Sequence, residues 1–138
     1  MKHETTASWQ SGMSFDVELD GHHFAIDAAA EHGGENRGPK PKGLVLSGLA
    51  GCTGMDVVAI LKKMRMPFDS FTVGVEGGLT EEHPKHYDDI KIVYTFTGDQ
   101  LDEKKIDKAV KLSQDSYCGV SAMLKHAAKI THEVRLNP

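Results

Sequence analysis

Cys52 and Cys118 carry the richest chemistry in this chain, and they are its only cysteines. Each is set among small residues, in Gly51-Cys52-Thr53-Gly54 and in Tyr117-Cys118-Gly119-Val120-Ser121. Lying 66 positions apart, they form no CxxC redox box and act together only if the fold brings them together. If they meet, the chemistry within reach is thiol oxidation, because a sulfenic acid is readily captured by a neighbouring thiol as a disulfide. The competing account is a pair of inert buried thiols, since free cysteine is among the most buried residue types.

Other side chains qualify that picture. Asp56 follows Cys52 by one helical turn, so its carboxylate shares a face with the thiol and disfavours the thiolate. In an apolar helix it must be paired, cap something or line a site. Cys118 falls at the start of a short helix, where free N–H groups and the helix dipole lower a thiol pKa. Local electrostatics therefore make Cys118 the more acidic thiol. Of the eight histidines, His83 and His86 have His-x-x-His spacing, but no Cys or carboxylate cluster completes a ligand set, and no metal site is expected. A cysteine hydrolase would need a histidine and an orienting group beside the thiol, and no local pattern supplies them.

The elements that must position these residues follow from pattern. Phe15 to Leu19 and His23 to Asp27 alternate apolar and polar residues around Asp20-Gly21, which predicts a hairpin with a type I′ turn. A weaker strand covers Thr5 to Trp9. His32 to Lys42 is a Gly- and Pro-rich loop, kept extended by Pro39 and Pro41. A helix from Gly43 to about Met64 is apolar nearly all round, which predicts burial on most sides. Gly48, Gly51 and Gly54 each cost it roughly 1 kcal/mol against Ala, so another backbone should approach closely, within the fold or across a dimer. Strands follow over Phe71–Glu76 and Ile90–Phe96, the latter with Ile90, Ile92, Tyr94 and Phe96 on one face. Asp102 to about Ser116 is an amphipathic helix with Ile106, Ala109, Val110 and Ser113 inward. Cys118 to Ala128 is a shorter one with Ser116 as its cap, and Ile130 to Leu136 closes the chain as a strand. The order β-β-β-α-β-β-α-α-β, with antiparallel runs around one long helix, is α+β in a single domain, 1–138.

Composition narrows the function classes. A net charge of −4 without a Lys/Arg cluster argues against nucleic acid as a partner. The most apolar stretch, Leu44 to Leu61, is interrupted by Ser47, Thr53, Asp56 and three glycines, which makes it a poor membrane span. No apolar leader follows Met1, and the expected compartment is cytoplasmic, where a cysteine pair is catalytic or redox-sensing more often than structural.

The stretch Pro41-Lys42-Gly43-Leu44-Val45-Leu46-Ser47-Gly48-Leu49-Ala50-Gly51-Cys52-Thr53-Gly54-Met55-Asp56-Val57-Val58 resembles the central-helix motif of the OsmC/Ohr superfamily. Ser116-Tyr117-Cys118-Gly119-Val120-Ser121 resembles its second cysteine motif. With Asp after the cysteine, the central motif is most similar to the OsmC-like branch rather than to the organic hydroperoxide resistance enzymes. The resemblance implies antiparallel sheets around a long buried central helix and an intertwined homodimer. It implies a thiol peroxidase of the oxidative stress response, with no metal or organic cofactor. Cys52 would attack the peroxide and Cys118 would resolve the sulfenic acid as a disulfide. A dithiol reductant such as dihydrolipoamide would reopen it, and the substrate would be an organic hydroperoxide. The active enzymes carry a Glu just after the Pro that precedes this helix and an Arg in the early β region. Here Lys42 and Gly43 stand at the first position, and no Arg occurs between Trp9 and Glu31. Arg37, Lys40 and Lys42 are the candidate replacements for the missing cation, with Asp56 as a site-lining residue. The alternative is a non-catalytic dimer on the same fold that binds a small hydrophobic ligand or senses thiol oxidation.

Overall fold

The computed structural model describes residues 1–138. The chain folds as two compact units, Met1–Val45 and Leu46–Pro138.

The first unit is a meander of β1 (Thr5–Ser11), β2 (Ser14–Leu19) and β3 (His22–Ile26), antiparallel throughout. Asp20 and Gly21 sit at φ 52° and 78°, the positive values a type I′ turn requires, and Leu19 pairs with His22 across it. The loop that follows is organised by one carboxylate. Asp27 accepts backbone N–H groups from Ala28 (2.8 Å), Glu35 (3.0 Å) and Arg37 (3.2 Å). These bonds, the one from Glu35 above all, hold its carboxyl below the usual carboxylate range. Gly34 and Gly38 are required here, because a Cβ would fall on the carbonyl of Ala28 or of Ala25.

Helix α1 (Pro41–Lys63) starts at Pro41 rather than Gly43, with proline in the first turn, where its missing N–H costs nothing. Its first turn belongs to the first unit and the rest to the second. Arg65, at φ 55°, ends it. Leu49, Thr53, Val57 and Leu61, each four residues from the last, form its only fully buried stripe. Burial on most sides is therefore not what a single chain shows: Met55 is 75% exposed and Val45 41%. Gly54 does meet a close neighbour, Val73, whereas nothing approaches Gly43, Gly48 or Gly51. By length and mean hydropathy (1.9) α1 is also long and apolar enough to cross a membrane, more than its polar interruptions suggested.

The buried stripe packs into the core of the second unit, with β4 (Ser70–Leu79), β5 (Tyr87–Thr97), α2 (Glu103–Leu112), α3 (Gly119–Leu124) and β6 (Lys129–Leu136). Ile90, Ile92, Tyr94 and Phe96 of β5 are wholly buried, as their alternation predicts, and so are Ile106, Ala109, Val110 and Ser113. β4 and β5 are antiparallel, but β6 runs parallel to β5, so this sheet is mixed rather than antiparallel throughout. Asp102 caps α2, its side chain accepting the N–H groups of Lys104 (3.0 Å) and Lys105 (3.3 Å). At Ser113–Tyr117 the helix widens into a single π turn, closed by the Cys118 N–H donating to the Ser113 carbonyl at 2.7 Å.

Candidate functional site

Helix α1 carries Cys52 and Asp56 on one face, and the π turn delivers Cys118 against them. The two thiols are free and within hydrogen-bonding reach of each other. Cys52 is half-buried, while Cys118 is 4% exposed. Cys118, not Ser116, caps α3: its sulfur accepts the Ser121 N–H at 3.4 Å. That bond lowers the thiol pKa, as a helix start should, but burial outweighs it. Burial, with Cys52 and Asp56 adding to it, pushes Cys118 up to about 11. The expectation that Cys118 is an acidic thiol is thus overturned: desolvation of a thiolate in this core costs more than one N–H returns.

Beneath the thiols lies a chain of polar side chains that the sequence did not reveal as a unit. The Ser113 hydroxyl donates to Asp56 Oδ2 at 2.9 Å. Its oxygen must then accept from Thr53 (2.8 Å), and Thr53 in turn accepts from the Tyr94 phenol (2.7 Å), since each hydroxyl has one proton to give. Gln114 Nε2 donates to both Thr53 (3.1 Å) and Tyr94 (3.2 Å), and Gln114 Oε1 accepts from the Ser121 hydroxyl (2.8 Å). Burial pushes the Tyr94 phenol up, consistent with a group that keeps its proton and donates it. The direction Tyr94 to Thr53 to Ser113 to Asp56 is fixed by this inventory, and it ends on an acceptor. Lys125 Nζ donates to the Gln114 carbonyl at 2.6 Å and pins the π turn from outside. No buried side-chain polar atom lacks a partner.

Asp56 faces outward as well. It lines a cavity of about 430 Å³ together with Ala59, Ile60, Lys63, Leu112 and Tyr117. Its second carboxylate oxygen accepts no bond from another side chain. Of the sequence-derived candidates, Cys52, Cys118 and Asp56 are thus brought together. Arg37 and Lys42 belong to the first unit, where the Arg37 guanidinium donates to Ser11 Oγ (2.6 Å) and Glu35 Oε2 (3.3 Å) and Lys42 is exposed. Tyr94 and Ser113 were legible as inward-facing but not as polar links, and Gln114 carried no signal. The available clue was Thr53, a hydroxyl at a core position between Leu49 and Val57.

Comparison with known proteins accords with this arrangement. Residues 33–133 match the family model of the OsmC-like proteins. The chain is 32% identical over 130 residues to protein YhfA of Escherichia coli strain K12, covering 94% of each chain. It superposes with a TM-score of 0.84 on the crystal structure of a hypothetical protein from Aquifex aeolicus VF5, at 32% identity over 100% of this chain and 99% of that one. It shares its fold with an organic hydroperoxide resistance protein from Elizabethkingia anophelis, with a TM-score of 0.76 and 16% identity over 99% and 97% of the two chains. With residues 33–133 matched by the family model and a relative 32% identical over 94% of each chain, the chain belongs to the OsmC-like protein family.

Proposed function

We propose that the protein is a thiol-dependent peroxidase that reduces organic hydroperoxides, with Cys52 attacking and Cys118 resolving. The observation that carries this reading is a pair of free, neighbouring thiols of unequal exposure, the more buried of which, Cys118, is pushed up by its burial. The thiolate is the nucleophile, and a thiol pushed up to about 11 is not a thiolate at neutral pH, so first attack falls to the more open Cys52. The Cys52 thiolate takes the terminal peroxide oxygen, becoming sulfenic acid as the O–O bond breaks and an alcohol leaves. The Cys118 sulfur then displaces that oxygen as water and forms the disulfide, which a dithiol such as dihydrolipoamide reduces. Family membership and a fold shared with organic hydroperoxide resistance proteins support the reading. It places the protein in the oxidative stress response, in a reducing cytoplasmic compartment, as a homodimer in which the open apolar face of α1 meets a second copy.

The test is the free-thiol count and mass of reduced protein given one equivalent of cumene hydroperoxide, with and without dihydrolipoamide. Rapid loss of both thiols, reversed by the dithiol with continued peroxide consumption, is expected. Two thiols left intact, or slow over-oxidation without turnover, would sink the proposal. That outcome would favour the second reading, a small-molecule-binding or redox-sensing dimer. One observation supports this second reading: the charged neighbour bearing on Cys118 is a carboxylate, Asp56, rather than a cation.

A further inference from the structure

Cys118 follows directly on the π turn, and the turn holds to the core by polar bonds. Asp115, Ser116 and Tyr117 are exposed, and the buried residues of the turn are Ser113 and Gln114. A disulfide tolerates little error in placement, because its Cβ atoms must lie about 3.5–4.5 Å apart. Ser113 and Gln114 both turn their polar ends to one hydroxyl, that of Thr53. Thr53 is wholly buried and follows Cys52 on α1, so the two move together as parts of one helix.

Two hydrogen-bonded routes leave the Thr53 hydroxyl, and both end on Cys118. In the first, Thr53 donates to the Ser113 hydroxyl (2.8 Å), and the Ser113 carbonyl accepts the Cys118 N–H (2.7 Å). In the second, Gln114 Nε2 donates to Thr53 (3.1 Å) and Gln114 Oε1 accepts from the Ser121 hydroxyl (2.8 Å). The Ser121 N–H then donates to the Cys118 sulfur at 3.4 Å. One route fixes the backbone of Cys118 and the other its sulfur. The core itself does not call for a hydroxyl here, since Leu49, Val57 and Leu61 make up the rest of the stripe. Apolar side chains of the same shape would serve packing as well. They would not tie the residue beside Cys52 to the turn that carries Cys118.

We propose that Thr53 is a positioning residue for disulfide formation, holding Cys118 in bonding register with Cys52 through Ser113 on one route and through Gln114 and Ser121 on the other. This deepens the peroxidase reading and rests on it for the electrophile, the Cys52 sulfenic acid. There the Cys118 sulfur forms the S–S bond, the Cys52 S–O bond breaks, and the oxygen leaves with the Cys118 proton as water. The clasp exchanges no atoms in that step. It raises the effective concentration of one sulfur at the other.

The experiment needs no peroxide. Reduced protein is brought to equilibrium in mixtures of glutathione and glutathione disulfide. Each internal disulfide formed consumes one glutathione disulfide and releases two glutathiones, so the equilibrium reads the effective concentration directly. Urea unfolding of the reduced protein is measured alongside. Ser113→Ala removes one oxygen from the core and cuts the first route, and it should lower the effective concentration about 10-fold. Thr53→Val cuts both routes and should lower it further, and adding Ser113→Ala to it should cost nothing more. Thr53→Ser keeps the hydroxyl and should stay within about threefold of wild type. A merely structural network predicts lower urea midpoints with the effective concentration unchanged. That result in Ser113→Ala overturns the proposal, as do equal losses in Thr53→Ser and Thr53→Val, or a wild-type protein that forms no internal disulfide. Failure of the peroxidase reading looks different: the variants would rank as expected in glutathione while wild-type protein left cumene hydroperoxide unconsumed.

Discussion

Burial sets how Cys118 answers to alkaline pH. An unfolded chain loses a cysteine proton near the ordinary value of 9.0, while the folded protein keeps the Cys118 proton to about 11. The folded state therefore binds the extra proton between those values. Its contribution to stability is fully present below 9.0 and falls as pH rises toward 11. Alkylation with iodoacetamide, mapped by mass spectrometry, should modify Cys52 first at pH 8, with Cys118 catching up only as pH approaches 11. Equal rates at pH 8 would contradict the assignment of roles. The two motifs, the pairing of Cys52 with Asp56 on one face and the helix-start position of Cys118 were all legible in the sequence. The acidity of Cys118 was not. Helix-start stabilisation is local and readable, whereas desolvation depends on what β5 and α1 bring over the sulfur from far along the chain.

At the scale of elements, alternation was a reliable guide. Ile90, Ile92, Tyr94 and Phe96 share one face because strand geometry leaves no alternative. Less was readable where pairing or packing is long-range. Nothing in the composition of β6 says that it lies parallel to β5. The apolar content of α1 could not say that only the stripe Leu49, Thr53, Val57 and Leu61 would be fully buried within its own chain. Nor did the pattern show that α2 would widen at Ser113, since a π turn is one extra residue in an otherwise helical stretch. The loop around Asp27 offers a direct check on packing. Gly38→Ala would drive a Cβ into the Ala25 carbonyl, and a loss of about 3 kcal/mol is expected by denaturant titration. Gly119→Ala, with nothing near, should be close to neutral. If Gly38→Ala were equally silent, the close approach of that loop to β3 would be wrong.

For the molecule as a whole, the open side of α1 is the feature that a single chain leaves unexplained. Met55 and Val45 are exposed on a helix whose composition is that of a core. Sedimentation of the wild-type protein should give twice the 15.1 kDa chain mass, and Met55→Glu should return it to one chain without unfolding it. A monomeric wild-type protein would refute the homodimer. The parallel placement of β6 has a consequence of a different kind. Neighbouring parallel strands cannot be joined by a tight turn, so α2, the π turn and α3 form the crossover between β5 and β6. Cys118 is carried on that crossover, and closing so long an excursion is among the slower things a chain does. The placement of Cys118 against Cys52 and the seating of β6 beside β5 therefore depend on one and the same connection, so a change in the length of that crossover is felt at both.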